Sequence, residues 1–303
     1  MTADAVDAVD AVDAVDTAAA RRPSLRRRRS PRRLPVWIGT TVALLLTLLT
    51  LLPVFYMLLM SVRTRADISA APQRLPSSLH LENYVQAFAG MRYWQSLGNT
   101  LLITLLATIL VVVLGSLAAY PLARLRGRLS ASLYALFALG LIVPGFASLT
   151  PLYVLMRDLH LLNTYAGAVL LYAVSNLPLA IFFYTSFLHS VPRELEEAAA
   201  IDGCTPLQAF RLVVFPLLAP VTGTLAMFVT LSVWNDLLTP LLFLSRDGQQ
   251  TVMLSAFRFI GTYGVDPTKL FPACVLGVLP LLLLFFLLQR SIVSGIAAGA
   301  VKG

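Results

Sequence analysis

Charge is scarce in this chain. Asp, Glu, Lys and Arg make up 13% of its 303 residues, against roughly 25% in an ordinary soluble domain. The two cysteines, Cys204 and Cys274, are too few for a disulfide framework. The three histidines, His80, His160 and His189, are scattered, and neither an HExxH nor a paired CxxC occurs, so no metal site is expected. A GxxxxGK[ST] phosphate loop is also missing, as is any clustered set of catalytic side chains. The chain is therefore expected to have no catalytic residues, to bind no cofactor and not to be an enzyme. If its work is driven by ATP, the ATPase must be another chain.

What the chain has in abundance is apolar sequence. Hydrophobic residues reach 58% and the mean hydropathy is +0.79, which places it in the membrane. A bilayer span needs about 20 apolar residues, and six segments qualify: 36–62, 99–123, 131–156, 163–188, 215–244 and 271–289. The first is too long for a signal-peptide core, and no small-residue cleavage site follows it before Arg63. Eight arginines between Arg21 and Arg33 precede it and predict a cytoplasmic N-terminus. Alternate loops then carry 15 Lys and Arg inside against 8 outside, and six spans return the C-terminus to the cytoplasm. The net charge of +8 thus reports topology and anionic-lipid contact, with no need of nucleic acid. Before the arginines, residues 5–16 repeat Ala-Val-Asp, which reads as a disordered tail. Residues 1–34 are taken as that tail and 35–303 as the membrane domain.

One polar stretch interrupts the apolar runs, residues 192–220, PRELEEAAAIDGCTPLQAFRLVVFPLLAP. Pro192 suits a first helical position, and Glu194, Glu196 and Glu197 suit the positive end of a helix dipole. Gly203 stands where a residue of positive φ would end that helix. Thr205-Pro206-Leu207-Gln208 reads as a capping box opening a second short helix. Four preceding spans put this hairpin, 192–212, in the cytoplasm. Ala198, Ala199 and Ala200 would let another protein approach its backbone closely.

Glu197-Ala198-Ala199, Asp202-Gly203, Phe210, Val213, Phe215-Pro216 and Pro220 resemble the EAA loop of ABC importer permeases. The family pattern is E-A-A-x-x-D-G-A, five residues, then F-x-x-I-x-L-P. Cys204, Val213 and Phe215 depart from it while keeping size or apolarity. The ending Gly295 to Gly303, GIAAGAVKG, and the run Trp234-Asn235-Asp236 before Pro240-Leu241 resemble the carbohydrate-uptake branch, of the maltose type. This resemblance implies an all-α integral membrane protein with the type I ABC importer permease fold, six transmembrane helices and cytoplasmic termini. It implies a bacterial plasma-membrane permease that pairs with a second, homologous permease and with two ABC ATPase subunits. An extracytoplasmic solute-binding protein would deliver a sugar or oligosaccharide. The coupling role falls on Glu197, Ala198, Ala199, Asp202, Gly203, Phe210 and Pro216. A permease for a polyamine or another polar solute is the alternative within the class.

Polar groups inside the bilayer are costly and therefore informative. Asp236 is the one acid within the apolar spans. It lies about 24 Å from Pro220 at 1.5 Å per residue, in the outer half of the fifth span. Pro240 cannot donate to the Asp236 carbonyl, so the helix should loosen there. Trp234, Asn235, Asp236 and, in the fourth span, Asn176 are candidates for the solute path. The competing reading makes them bonds between helices or to a partner permease, and both stand at this point. Tyr172 and Tyr184 read as core or interfacial tyrosines. A secondary carrier would need several ion-coupling acids and internal repeats, for which a single acid is poor support.

Overall fold

A computed structural model describes residues 36–70, 76, 78–143, 145–261 and 264–300, the last from 287 onward by its backbone alone. The Ala-Val-Asp repeat and arginine run of the tail, and the terminal Val301, Lys302 and Gly303, lie outside the described residues. The described residues fall into two units that part after Pro53. Helix α1, Val36–Ser61, runs from the first into the second. Within the first unit its hydroxyls are satisfied locally: Thr41 donates to the Trp37 carbonyl and Thr47 to that of Ala43, each at 2.8 Å. An apolar helix bound for lipid must dispose of its polar groups in this way.

The second unit is built around two long helices, α4 (Tyr93–Arg124) and α7 (Tyr165–Leu188). Ahead of them come two short helices, α2 (Arg65–Ala70) and α3 (Glu82–Gly90). On α4, Ile103, Ala107, Val111, Gly115, Ala119 and Ala123 recur every four residues and are all buried. They meet the small Ala168, Ala173 and Ala180 of α7. The approach is so close that a Cβ at Gly115 would stand 2.6 Å from the Cβ of Ala180. Lipid supplies no hydrophobic drive between helices, so small residues that admit close backbone packing take that place. The core continues through Leu218, Leu225, Val229 and Val233.

Two expected spans are not single helices. Segment 131–156 is carried by α5 (Arg128–Leu139), a 3-10 turn Gly145–Ser148 and α6 (Leu149–Asp158). Gly140 and Gly145 are poor helix formers, and Pro144 lacks an N–H and biases the residue before it away from helix. The break also serves packing, because a Cβ at Gly140 would meet Pro178 of α7 at 2.9 Å. Segment 215–244 opens with α10 (Phe215–Leu217) and turns at Leu218. It continues as α11 (Ala219–Asn235), breaks again and ends as α12 (Leu238–Phe243). Among the described residues four helices are long and apolar enough to cross a membrane, five if the pair bent by 74° at Leu218 is one span. The remaining elements are α13 (Val252–Phe257), a two-residue antiparallel pair β1 (Ile260–Gly261) and β2 (Gly264–Val265), and α14 (Pro267–Ala300). The described residues are thus mostly helical, with one short antiparallel strand pair that the all-α expectation lacks.

The end of the bundle opposite the polar hairpin is tied down by side chains that bond to backbone. Asn99 donates to the carbonyls of Gly248 and Gln250 at 2.8 and 3.0 Å, and Tyr165 donates to Asn99 at 2.8 Å. The Val252 N–H donates to Thr100 Oγ1 at 2.9 Å. These bonds supply partners for a connection that has no ladder of its own.

Candidate functional site

The polar hairpin is two short helices, α8 (Glu194–Ile201) and α9 (Pro206–Ala209). Glu194, Glu196 and Glu197 occupy the first turn of α8, and Pro192 lies just outside it, since Arg193 is the N-cap. The turn is a Schellman motif: Cys204 N–H donates to the Ala199 carbonyl at 2.9 Å and Gly203 N–H to that of Ala200 at 3.1 Å. Gly203 has φ of +84°, which a side chain resists. Thr205 then forms the reciprocal box with Gln208, at 2.8 and 3.4 Å, with Pro206 at N1. A π-helical turn, Phe210–Val214, leads through Pro216 of α10 to the bend.

Burial divides the expected coupling residues into two groups. Glu197, Ala198, Asp202 and Gly203 are exposed, beside an Ile201 that is 87% exposed and a Leu207 at 67%. Ala199 and Phe210 are buried, each 6% exposed. The alanine face expected as a docking surface is therefore reduced to Ala198 and Ala200, while Ala199 packs inward. Phe210 lies against Tyr120 of α4, ring centroids 5.0 Å apart.

The root of the hairpin holds a charged cluster. Arg124, in the last turn of α4, donates through Nε to Glu196 Oε1 at 2.7 Å, and its Nη2 lies 2.6 Å from the same oxygen. Tyr120 donates its hydroxyl to Glu196 Oε2 at 2.7 Å. Arg124 also donates to the carbonyls of Leu188 and Val191, at 3.0 and 3.2 Å. Arg193 donates to the Arg124 carbonyl at 2.8 Å. The side chains of Arg124 and Glu196 are only 12% and 16% exposed, so this is a sheltered pair. Sequence reasoning read Arg124 as a topology signal and Glu196 as a dipole partner. The usable signal was that Tyr120 and Arg124, four apart, share one face of an apolar helix end.

The four solute-path candidates do not form one cluster. Asp236 follows the last residue of α11 in an extended conformation, ψ 131°, so the helix breaks where loosening was expected. Its Oδ1 accepts the N–H of Leu238, the first residue of α12, at 3.0 Å, and its Oδ2 accepts the Tyr172 hydroxyl at 3.0 Å. Asp236 lines a cavity of about 280 Å³ with Ser175, Thr239, Leu171 and Phe243. Trp234 points elsewhere, donating its indole N–H to the Gly277 carbonyl of α14 at 3.0 Å, and with Asn235 lines a smaller apolar cavity beside Cys274. Asn235 donates back to Leu231 at 2.9 Å and Asn176 back to Tyr172 at 2.8 Å. The latter is buried within its own helix, and Tyr172, read as a core residue, is the partner of Asp236.

Residues 111–297, which include the hairpin and the Asp236 break, match the family model of the binding-protein-dependent transport system inner membrane component. The chain belongs to that family. The permease is a multi-pass protein of the bacterial plasma membrane. It is 33% identical over 267 residues to the melibiose/raffinose/stachyose import permease MelC of Bacillus subtilis, covering 88% of this chain and 96% of that one. It is 33% identical over 269 residues to the diacetylchitobiose uptake permease DasC of Streptomyces coelicolor, covering 88% and 97%. Its fold is similar to a chain of a bacterial ABC transporter involved in the import of alginate. The TM-score there is 0.69 at 21% identity, over 86% of the permease and 99% of that chain.

Proposed function

We propose that the permease forms half of the translocation path of an ATP-driven, binding-protein-dependent importer of a sugar or oligosaccharide. The observation that carries this is the exposed hairpin tip, where Glu197, Ala198, Ile201, Asp202 and Gly203 surround a Schellman turn. An exposed apolar side chain beside small residues on a rigid turn suits docking into a cleft of another protein. In this reading two separate ABC ATPase subunits bind and hydrolyse the ATP, and this chain binds no cofactor. A second, homologous permease completes the path, and an extracytoplasmic binding protein delivers the solute. The chain crosses the membrane six times, with the 128–158 segment as a broken third span and both termini in the cytoplasm. The sugars named for MelC and DasC favour a carbohydrate over a polyamine. Asp236 with Tyr172 forms the polar wall of the solute path, a carboxylate beside a cavity at a helix break.

The test is purification in mild detergent followed by reconstitution. An ATPase and a second permease should co-purify, and proteoliposomes supplied with the binding protein should accumulate labelled oligosaccharide only with ATP. Accumulation of spermidine in place of sugar would refute the substrate class. Uptake driven by an ion gradient without ATP would refute the importer.

A further inference from the structure

Both arms of the hairpin converge on one side chain of α4. The first arm reaches Tyr120 through Glu196, which accepts its hydroxyl at 2.7 Å. The return arm reaches the same residue through Phe210, whose ring lies 5.0 Å from the phenol ring. One turn further along, Arg124 clamps Glu196 and the carbonyls of Leu188 and Val191 at the end of α7. We infer that Tyr120, Arg124 and Glu196 form a strut that imposes movement of the hairpin on α4. They are positioning residues for the coupling proposed above, and the inference rests on that reading.

The chemistry of the cluster favours a rigid link over simple adhesion. An ion pair this sheltered is costly unless its lone pairs and protons are all engaged. Here both carboxylate oxygens are bonded, and so are Nε, Nη1 and Nη2 of the guanidinium. Apolar side chains would hold the two elements together without that cost, yet they could slide. Directional bonds fix distance and angle together. The arms themselves, eight and four residues long, are too short to resist swinging on their connections. Helix α4 has 32 residues, about 48 Å at 1.5 Å per residue. Its fit against α7 at Gly115 leaves no slack, so a displaced α4 moves α7 as well. Helix α7 carries Tyr172, the partner of Asp236.

The test uses the whole complex, permease with ATPase, partner permease and binding protein, in proteoliposomes, and reads solute accumulated per ATP hydrolysed. Glu196→Gln keeps shape and removes charge, while Tyr120→Phe removes one hydroxyl. The ratio should fall about tenfold for the first and about threefold for the second, with the ATPase still co-purifying. The double variant should be little worse than Glu196→Gln, because both act through one network. An unaltered ratio in both variants overturns the strut. Loss of the ATPase from the Glu196→Gln complex also overturns it, since the cluster would then be a docking scaffold. Should Glu196→Gln fail to fold, Tyr120→Phe decides by its own ratio. Absence of ATP-driven uptake by the unaltered complex refutes the importer reading itself, and the strut with it.

Discussion

The permease uses small residues in two places for opposite reasons. Along α4, Ala107, Gly115 and Ala119 are buried against α7, and the space they leave is already filled. At the hairpin tip, Ala198, Ala200 and Gly203 are exposed, and a Cβ on Gly203 would meet nothing within 4 Å. One set closes a seam within the chain. The other leaves a surface low, as the proposed docking of a partner chain requires. The same residue type is thus structural where a neighbour touches it, and in the proposed coupling it serves docking where none does.

The largest effect should come from the seam. Gly115→Leu forces a side chain into the Ala180 contact, where even a Cβ lies at 2.6 Å. Overpacking of this kind costs about 1–3 kcal/mol or more, and the expected result is loss of assembled complex in size-exclusion chromatography. Gly203→Val should do the reverse. It strains the turn by about 1–2 kcal/mol and raises bulk on the docking face, so the complex inserts but ATP-driven uptake is lost. Recovery of a working Gly115→Leu complex, or a Gly203→Val permease that never reaches the membrane, would break the comparison. Ala198→Asp sharpens it by placing charge on the docking face without touching the turn, and uptake should again be lost.

A smaller effect is expected at Asp236. Asp236→Asn keeps an acceptor for the Leu238 N–H and removes the charge facing the cavity. Uptake should fall about threefold to tenfold while the complex still assembles. Failure to assemble would place this residue with Asn176 and Trp234, whose polar groups bond to backbone carbonyls.

The smallest effect lies at the opposite end. Partial burial raises the Asp266 pKa, but the Thr268 hydroxyl at 2.7 Å and Lys269 at 3.1 Å outweigh it and hold the carboxyl below its ordinary 3.8. A depressed folded-state pKa stabilises above the unfolded value, and the benefit disappears as pH falls through the folded value. Asp266→Asn should therefore lower Tm by a degree or so at neutral pH, about what a half-exposed pair supplies. The difference should vanish in acid, once the pH has fallen through the depressed folded-state value. A pH-independent difference would show that the hydrogen bonds alone matter, and would set this rim pair further apart from the sheltered Glu196–Arg124 pair.

Much of the hairpin was legible because its rules are local. The Schellman glycine and the capping box depend on residues within five positions of one another, and the structure has both where the sequence predicts them. The four long apolar helices were legible from composition, and the break before Pro240 from the missing N–H. Segment 131–156 was read as one span because apolarity does not register a bend, although Gly140, Pro144 and Gly145 were there to see. For the Glu196–Arg124 pair, 72 residues apart, the i, i+4 spacing of Tyr120 and Arg124 marked one side, but nothing local named Glu196 as the partner.

The sequence by itself determined that this chain lies in the membrane, where the polar hairpin begins and ends, and which turn joins its arms. Those features follow from transfer free energy and from hydrogen bonds that close within a few residues. Only the tertiary structure decided that Ala198 faces out and Ala199 in, that Tyr120 receives both arms, and that Asp236 lines a cavity while Asn176 bonds within its own helix. Burial and long-range pairing depend on what the rest of the chain brings alongside, and no property of a residue or its near neighbours contains that.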